Sequence, residues 1–325
     1  MNQGSRINQD ISREDIEQIF KTNFGKDTVV QSFKRIKNGL FNTSYYVKTE
    51  YPSNIYVLRI APIRQELLFS WEQNVMAVEQ TIYKLLKENG IPTVNIVKYD
   101  ESHEIIPGSY IITEYIDGIP LNDPSFPISY KNKIRYELGI YTAKIHKIKS
   151  NKFGWPKPDG SIFGSSKWPD VIKLFSDELT RKSSNNSIFD DKEIKEFDSF
   201  ISKNLDIFDI SETPSLVHFD LWAPNVLVKK IGEDWSIAAI IDADHAMFAD
   251  REFEFVLWPN ESFFMKGYGI PLNSSKEAVL KRKAYDLIFS FICACAYKIQ
   301  HGNDTEYLNS KKRAVDILSD VNKCL

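Results

Sequence analysis

Leu216-Val217-His218-Phe219-Asp220-Leu221-Trp222-Ala223-Pro224-Asn225-Val226-Leu227-Val228 sets a histidine, an aspartate and an asparagine at the spacing HxDxxxxN between apolar flanks. Phosphoryl transfer asks little covalent work of a protein. It needs a carboxylate to hold and deprotonate an attacking hydroxyl, and an oxygen ligand for the metal that rides on the phosphates. Asp220 and Asn225 are one of each. His218, just after the turn-forming Pro214-Ser215, is placed to brace the loop by hydrogen bonding rather than to move a proton; a buried histidine satisfied by backbone is the plainer alternative.

The residues that follow strengthen this reading. Asn225 to Lys229 and Trp235 to Ile241 have the composition of two strands joined at Gly232-Glu233-Asp234, a hairpin that delivers Asp242 beside Asn225. Mg²⁺ prefers near-octahedral oxygen coordination, with one or two protein carboxylates completed by phosphate and water, so Asn225 and Asp242 suffice as its protein ligands. Taken singly, Asp220 could cap a turn and Asp242 could end a surface strand. The pair in this order and context favours the site.

With 325 residues, 42% hydrophobic and 26% charged, the chain has the composition of a folded globular protein, long enough for two domains or two lobes around a cleft. A formal charge of −3 gives no general field for polyanions. The best basic cluster, Lys311-Lys312-Arg313, reads as a solvated helix face, so nucleic acid is not an expected partner. The apolar stretch Leu287 to Tyr297 is far short of the roughly 20 residues that span a bilayer, and no membrane association is expected. Cys293, Cys295 and Cys324 form neither a disulfide set nor a metal pair, and the first residues lack the pattern of a signal peptide. A reducing, cytoplasmic setting is the expectation; the oligomeric state is not encoded in any legible way.

Ser12 with Asp15 opens a capped amphipathic helix through Phe24. Thr28 to Lys34, Ser44 to Thr49 and Ile55 to Ile60 read as an antiparallel meander. Trp71 to Glu88 reads as one helix, and Val94 to Tyr99 and Tyr110 to Ile116 complete a five-stranded sheet with that helix packed on it. After Asp117-Gly118 the pattern turns helical: a stripe from Ile134 to Ile148, then Trp168 to Leu179 and Lys192 to Leu205 separated by the polar run 183–187, and finally Lys276 to Gln300 and Tyr307 to Cys324. The expected fold class is α+β, with an N-terminal nucleotide-binding lobe over residues 1–116 and a mostly helical catalytic and substrate lobe over 117–325.

The loop, the hairpin and Asp242 together resemble the aminoglycoside phosphotransferase family, relatives of the protein kinases, and most of all its hygromycin B phosphotransferase type. The run from Ile241 to Glu254, Val57-Leu58-Arg59-Ile60, Phe153-Gly154 and Trp168 carry that likeness, which spans about residues 30 to 300 and is strongest from 216 to 260. The resemblance implies a two-lobed protein-kinase-like fold, ATP or GTP as phosphoryl donor, and Mg²⁺. It implies that Asn42, Thr43 and Ser44 in the loop 38–44 position the nucleotide, that Arg59 stands for the lysine that pairs with the α and β phosphates, and that Arg59 is held by Glu79, or failing that Glu72. Thr113, Glu114, Tyr115 and Ile116 match the lobe connection, whose backbone meets the adenine edge. Asp250 matches an aspartate that braces the catalytic loop. After Asp242 come Ala243 and Asp244 rather than Phe and Gly, and no long activation segment follows, which argues against a protein substrate.

Carboxylates at Asp244, Glu254 and Glu261, interleaved with Trp222 and Trp258, suit a hydroxylated, amine-bearing acceptor, although such aromatics are as readily core and such acids as readily solvated. The expectation is a small-molecule kinase acting on an aminoglycoside or related antibiotic. Two readings stand beside it: a metabolite kinase for a fructosamine, amino sugar or amino alcohol, since fructosamine kinases have a similar Asp-Leu-Trp, and a catalytically silent binding protein on the same scaffold.

Overall fold

The computed structural model describes residues 5–36, 39–258 and 261–323. Asn38 and Cys324 lie outside the described residues.

Helix α1 (Arg13–Phe24) starts where Ser12 and Asp15 exchange side-chain-to-backbone hydrogen bonds, a reciprocal cap contributing about 1 kcal/mol. Strands β1 (Val29–Ile36), β2 (Thr43–Tyr51) and β3 (Asn54–Ile60) follow as the expected meander. Helix α2 (Val75–Glu88), β4 (Ile96–Asp100) and β5 (Tyr110–Glu114) complete an antiparallel sheet of order β1-β2-β3-β5-β4.

In this half of the chain two details differ from the reading of the sequence. The helix expected from Trp71 begins only at Val75: Ser70–Glu72 is a separate 3-10 turn, and Asn74, in the left-handed conformation at φ 59°, breaks the two apart. The helix packed on the sheet is α1, whose Ile16, Ile19 and Phe20 share a core with Val47, Tyr56, Leu58 and Ile112. Helix α2 instead buries Val78, Ile82 and Leu86 against Val94, Leu121 and Ile240. It therefore stands between the sheet and the rest of the chain, with its polar residues delivered to the junction.

The remainder is mainly helical. Strand β6 (Ile119–Pro120) precedes α3 (Lys131–Ile145), β7 (Phe153–Pro156), β8 (Ile162–Ser165), α4 (Trp168–Asn185) and α5 (Asp191–Lys203). Helix α4 continues through Ser183, Ser184 and Asn185, where the polar run suggested a loop. Ser183 is fully buried, its hydroxyl 3.5 Å from the Cys295 sulfur, so tertiary packing overrides local polarity. Then come β9 (Ser215–Val217), β10 (Val226–Ile231), β11 (Asp234–Ile240), β12 (Met247–Ala249), α6 (Ser262–Tyr268), α7 (Lys276–Ala296) and α8 (Asp304–Lys323). The helix read to Gln300 ends at Ala296, and Tyr297–His301 is a single π turn. Strands β10 and β11 form the expected hairpin, with β6 on its other edge. No helix among the described residues is long and apolar enough to cross a membrane.

A large aromatic core, including Trp168, Phe175, Phe253, Tyr285 and Phe291, joins α4, α5, α7 and α8. Helices α3 and α6 cross at backbone distance: a Cβ built on Gly139 would lie 2.1 Å from the Phe264 carbonyl oxygen, and one on Gly267 would lie 1.9 Å from that of Tyr136. Only glycine permits this crossing. It holds α6 beside the loop that follows β9.

Candidate active site

Strand β9 pairs antiparallel with β12, and the chain leaves it through Phe219, whose φ of 64° is left-handed and rare for a bulky residue. Glu254, completely buried, holds that turn. Its carboxylate accepts the backbone N–H of His218 at 2.6 Å and of Phe219 at 3.1 Å, with His146 Nε2 3.5 Å away. Burial pushes the Glu254 carboxyl up, but the neighbouring His146 and His218 groups outweigh that and leave it below its usual range.

His218 is buried and makes two bonds that fix one tautomer: Nδ1 accepts the Asp220 N–H at 3.4 Å, and Nε2 donates to the Ile241 carbonyl at 3.1 Å. Desolvation lowers its pKa, favouring the neutral ring. The imidazole thus ties the loop to the end of β11. Asn225 Nδ2 donates to the Asp220 carboxylate at 2.7 Å and to the Asp220 carbonyl at 2.9 Å. Burial holds the Asp220 carboxyl well above the usual carboxylate range, with His245 acting against it and Asp242 and Asp244 adding to it.

Asp242 follows β11 in the left-handed conformation, φ 63° and ψ 50°. Its N–H donates to the Tyr83 hydroxyl of α2 at 3.0 Å, and the preceding Ile241 N–H donates to the Asn225 carbonyl at 2.9 Å. These bonds set Asp242 beside Asn225 and Asp220. With the Asn225 amide nitrogen engaged by Asp220, its side-chain oxygen is the atom available to a cation. Two oxygen donors on an otherwise strained turn fit Mg²⁺. Among the described residues no group of three or more His, Cys, Asp or Glu is arranged to hold a metal.

From the sheet side, Arg59 of β3 enters the same space. One guanidinium nitrogen, Nη1, pairs with Glu79 of α2; the other, Nη2, pairs with Asp242 and lies 3.4 Å from Asp244. Burial raises the Glu79 carboxyl to about 7 against the pull of Arg59. Glu72, the alternative partner, is not on α2 and does not reach Arg59. It accepts the Phe69 N–H at 2.8 Å and the Gln300 side-chain amide at 2.6 Å.

Of the loop residues, Asn42 is buried and its Nδ2 donates to Asp244 across the cleft at 2.8 Å. Ser44 sits opposite Arg59 in the β2–β3 register. Thr43 does not face the cleft as expected, because its hydroxyl accepts the Gln9 N–H at 3.1 Å and is buried there. In the lobe connection, Thr113 is buried between β3 and β4, the Glu114 N–H donates to Asn95 O at 3.0 Å, and the Tyr115 N–H donates to Ile55 O at 3.3 Å. The Ile116 N–H has no partner among the described residues.

The acceptor side departs most from expectation. Glu254 is the brace just described and is closed to solvent, so it does not contact an acceptor. Asp244 is also buried, bonded to Asn42 and, at 2.8 Å, to His245 Nδ1; burial raises its carboxyl, and the His245 cation more than reverses this. It sits among Asn42, Arg59 and His245. Glu261 divides its two oxygens between Arg135 at 2.9 Å and the Phe264 N–H that caps α6. Trp258 is 9% exposed and its indole N–H donates to the Leu221 carbonyl. Trp222 alone of the five, at 39% exposed, is open to a ligand. Asp250 braces α7 rather than the catalytic loop, accepting from Tyr285 and Lys281, both at 2.7 Å.

The bracing role of Glu254 and the places of Tyr83 and His245 differ from what the motifs imply. A signal for Glu254 exists in hindsight: Arg251-Glu252-Phe253-Glu254-Phe255 places a carboxylate between two large aromatics, where burial demands strong partners.

The model of the phosphotransferase enzyme family matches residues 32–270, well over half of the chain. No curated protein sequence matches. Among solved structures, the gentamicin complex of APH(2")-IIa is similar with a TM-score of 0.63 at 13% identity, covering 94% of this chain and 97% of that one. The complex of spectinomycin phosphotransferase APH(9)-Ia with ADP and spectinomycin gives 0.56 at 18%, covering 96% and 98%. A fructosamine-3-kinase-like protein of Thermobifida fusca YX-ER1 gives 0.61 at 14%, covering 88% and 94%. At these identities the structures speak for the kinase-like α+β fold. The residues matched by the family model include the whole constellation around Asp220, Asn225, Asp242, Arg59 and Glu79, and the chain belongs to the phosphotransferase enzyme family.

Proposed function

We propose that the chain transfers the γ-phosphoryl group of ATP or GTP to a hydroxyl of a small polar molecule bearing amines, an aminoglycoside or related antibiotic in the first instance, as a resistance kinase of the hygromycin B type. The observation that carries the reading is the convergence of Asp220, Asn225 and Asp242 on one point reached from the sheet by Arg59. In this reading residues 1–116 hold the nucleotide and 117–325 the acceptor.

Asp220 is the base. Its carboxylate, steadied by the Asn225 amide, accepts the proton of the acceptor hydroxyl as the oxygen attacks phosphorus. Asn225 and Asp242 would hold Mg²⁺, which would supply positive charge to offset that of the phosphates. Arg59 engages the phosphates and Glu79 orients it. Asn42 and Ser44 line the phosphate side, and the Ile116 N–H is free to meet the adenine or guanine edge. His218 stays neutral and positions the loop. Trp222 offers an exposed ring face to the acceptor.

The test is Mg²⁺-dependent nucleotide turnover across a panel of aminoglycosides, with Asp220→Ala beside the wild type. Turnover of an antibiotic that falls at least 10²-fold in the variant is the expected result; full turnover by a folded variant refutes the mechanism. The likeness to a fructosamine-3-kinase-like fold, with Leu221-Trp222 after the base, favours a metabolite kinase as second reading, and turnover confined to fructosamines, amino sugars or amino alcohols would establish it. Nucleotide binding without transfer to any acceptor would leave a silent binding protein, a role with no use for all three of Asp220, Asn225 and Asp242.

A further inference from the structure

The side chain that reaches the metal ligand from the sheet is an arginine, and its two guanidinium nitrogens are spent on different helices and loops. Nη1 takes Glu79 on α2, while Nη2 takes Asp242 and approaches Asp244. Glu79 is fully buried and fixes one end of the fork. The Asp242 side chain, in contrast, is 33% exposed. Solvent ions can reach that carboxylate, so burial is not what would keep them off it. The guanidinium is.

We propose that Arg59 is a positioning residue that withholds Asp242 from divalent cations until nucleotide phosphates claim its Nη2, so that the metal enters with or after the nucleotide and not before it. The inference rests on the phosphotransferase reading for the identity of the nucleotide, but not for the block itself. The planar fork matters more than the charge: a guanidinium spans two carboxylates with separate nitrogens, whereas an ammonium is a compact point on a flexible stem. A phosphate oxygen accepts a charge-assisted hydrogen bond from Nη2 as a carboxylate oxygen does, and so competes with Asp242 for that nitrogen. Glu79 retains Nη1 throughout, which keeps Arg59 from leaving the cleft when Asp242 lets go.

The experiment measures Mn²⁺ binding to the full chain by electron paramagnetic resonance, without nucleotide and then with a non-hydrolysable ATP analogue. The wild type should bind Mn²⁺ alone at least tenfold more weakly than in the presence of the analogue. Arg59→Lys keeps the charge and loses the span, and should tighten nucleotide-free Mn²⁺ binding at least tenfold, about 1.4 kcal/mol. A general electrostatic effect predicts no change for that variant. His245→Gln removes a nearby cation that touches Asp244 and not Asp242, and should tighten binding far less. Should Arg59→Lys fail to fold, the double variant Arg59→Met with Glu79→Gln, which removes the buried Glu79 charge together with its partner, carries the same expectation. Wild-type Mn²⁺ binding that is equally tight with and without the analogue overturns the proposal, as does an Arg59→Lys variant with unchanged nucleotide-free affinity. A wild-type chain that binds no analogue overturns the phosphotransferase reading, and the nucleotide-free comparison still decides the block.

Discussion

Replacing Glu254 by glutamine tests what holds the catalytic loop. The carboxylate accepts two backbone N–H groups, from His218 at 2.6 Å and Phe219 at 3.1 Å, at a site sealed from water. Hydrogen bonds to a charged partner contribute about 1.5–3 kcal/mol each. Glutamine keeps one acceptor oxygen and turns an amide NH₂ toward the other donor, so one bond is lost outright and a buried N–H is left facing another donor. Phe219 adds to this, because its left-handed backbone is a conformation costing about 1–3 kcal/mol that persists only while its surroundings enforce it. A net loss of about 2–4 kcal/mol follows from these terms. Urea unfolding followed by tryptophan fluorescence should show the midpoint falling accordingly. Below the transition, where the variant is folded, turnover should fall on the order of 10²-fold, because Asp220 follows Phe219 directly and a base displaced by an ångström loses about that much. The pH dependence has a definite sign. The Glu254 carboxyl is held below its unfolded value of 4.5, so its contribution is complete above that value and is lost as the pH falls through the lower folded one; the glutamine variant should lack this acid-side loss. An unchanged urea midpoint together with wild-type turnover would refute the reasoning.

Gly139→Ala should destabilise the chain by about 1–3 kcal/mol, since the new methyl meets the Phe264 carbonyl and Tyr268 amide of α6, both backbone, and this outweighs the roughly 1 kcal/mol that alanine favours a helix over glycine. Thermal unfolding checks it, and a raised Tm would contradict the close crossing of α3 and α6. His301, pushed down to about 4 by burial first and by the His245 charge second, is neutral in the fold and charged when unfolded between that value and its ordinary 6.5. Stability should therefore fall as the pH drops from 6.5 toward 4, by about 3 kcal/mol from this residue alone; His301→Gln should flatten that window in urea titrations, and an unaltered slope would count against the assignment.

How much of this was written in the sequence depends on whether a residue's role is local. The meander, the Ser12 cap and the β10–β11 hairpin rest on short-range periodicity and turn chemistry, and they form where expected. The pairing of Arg59 with Glu79 was also legible, since a strand cation and a helix acid of the right family pattern have few other partners. The acceptor side was not. Glu254, Glu261 and Trp258 form an acidic and aromatic cluster along the chain, yet a 3-10 segment from Arg251 to Val256 and the glycine-enabled approach of α6 turn those side chains inward. No periodicity announces a 3-10 segment, and the crossing depends on contacts more than a hundred residues apart. Thr43 failed for a similar reason: its partner, Gln9, comes from a stretch that precedes the first helix.

That short segment has one more implication. Asp250, Glu252 and Glu254 each send a carboxylate to a different place: Tyr285 and Lys281, Arg282, and the amides of His218 and Phe219. Protein kinases order an activation segment, absent here, by adding a phosphate that supplies negative charge. Here the anions are built into the polypeptide and paired from the moment it folds. The turn at Phe219 that Glu254 secures therefore takes its negative charge from the chain itself and needs no added phosphate to form.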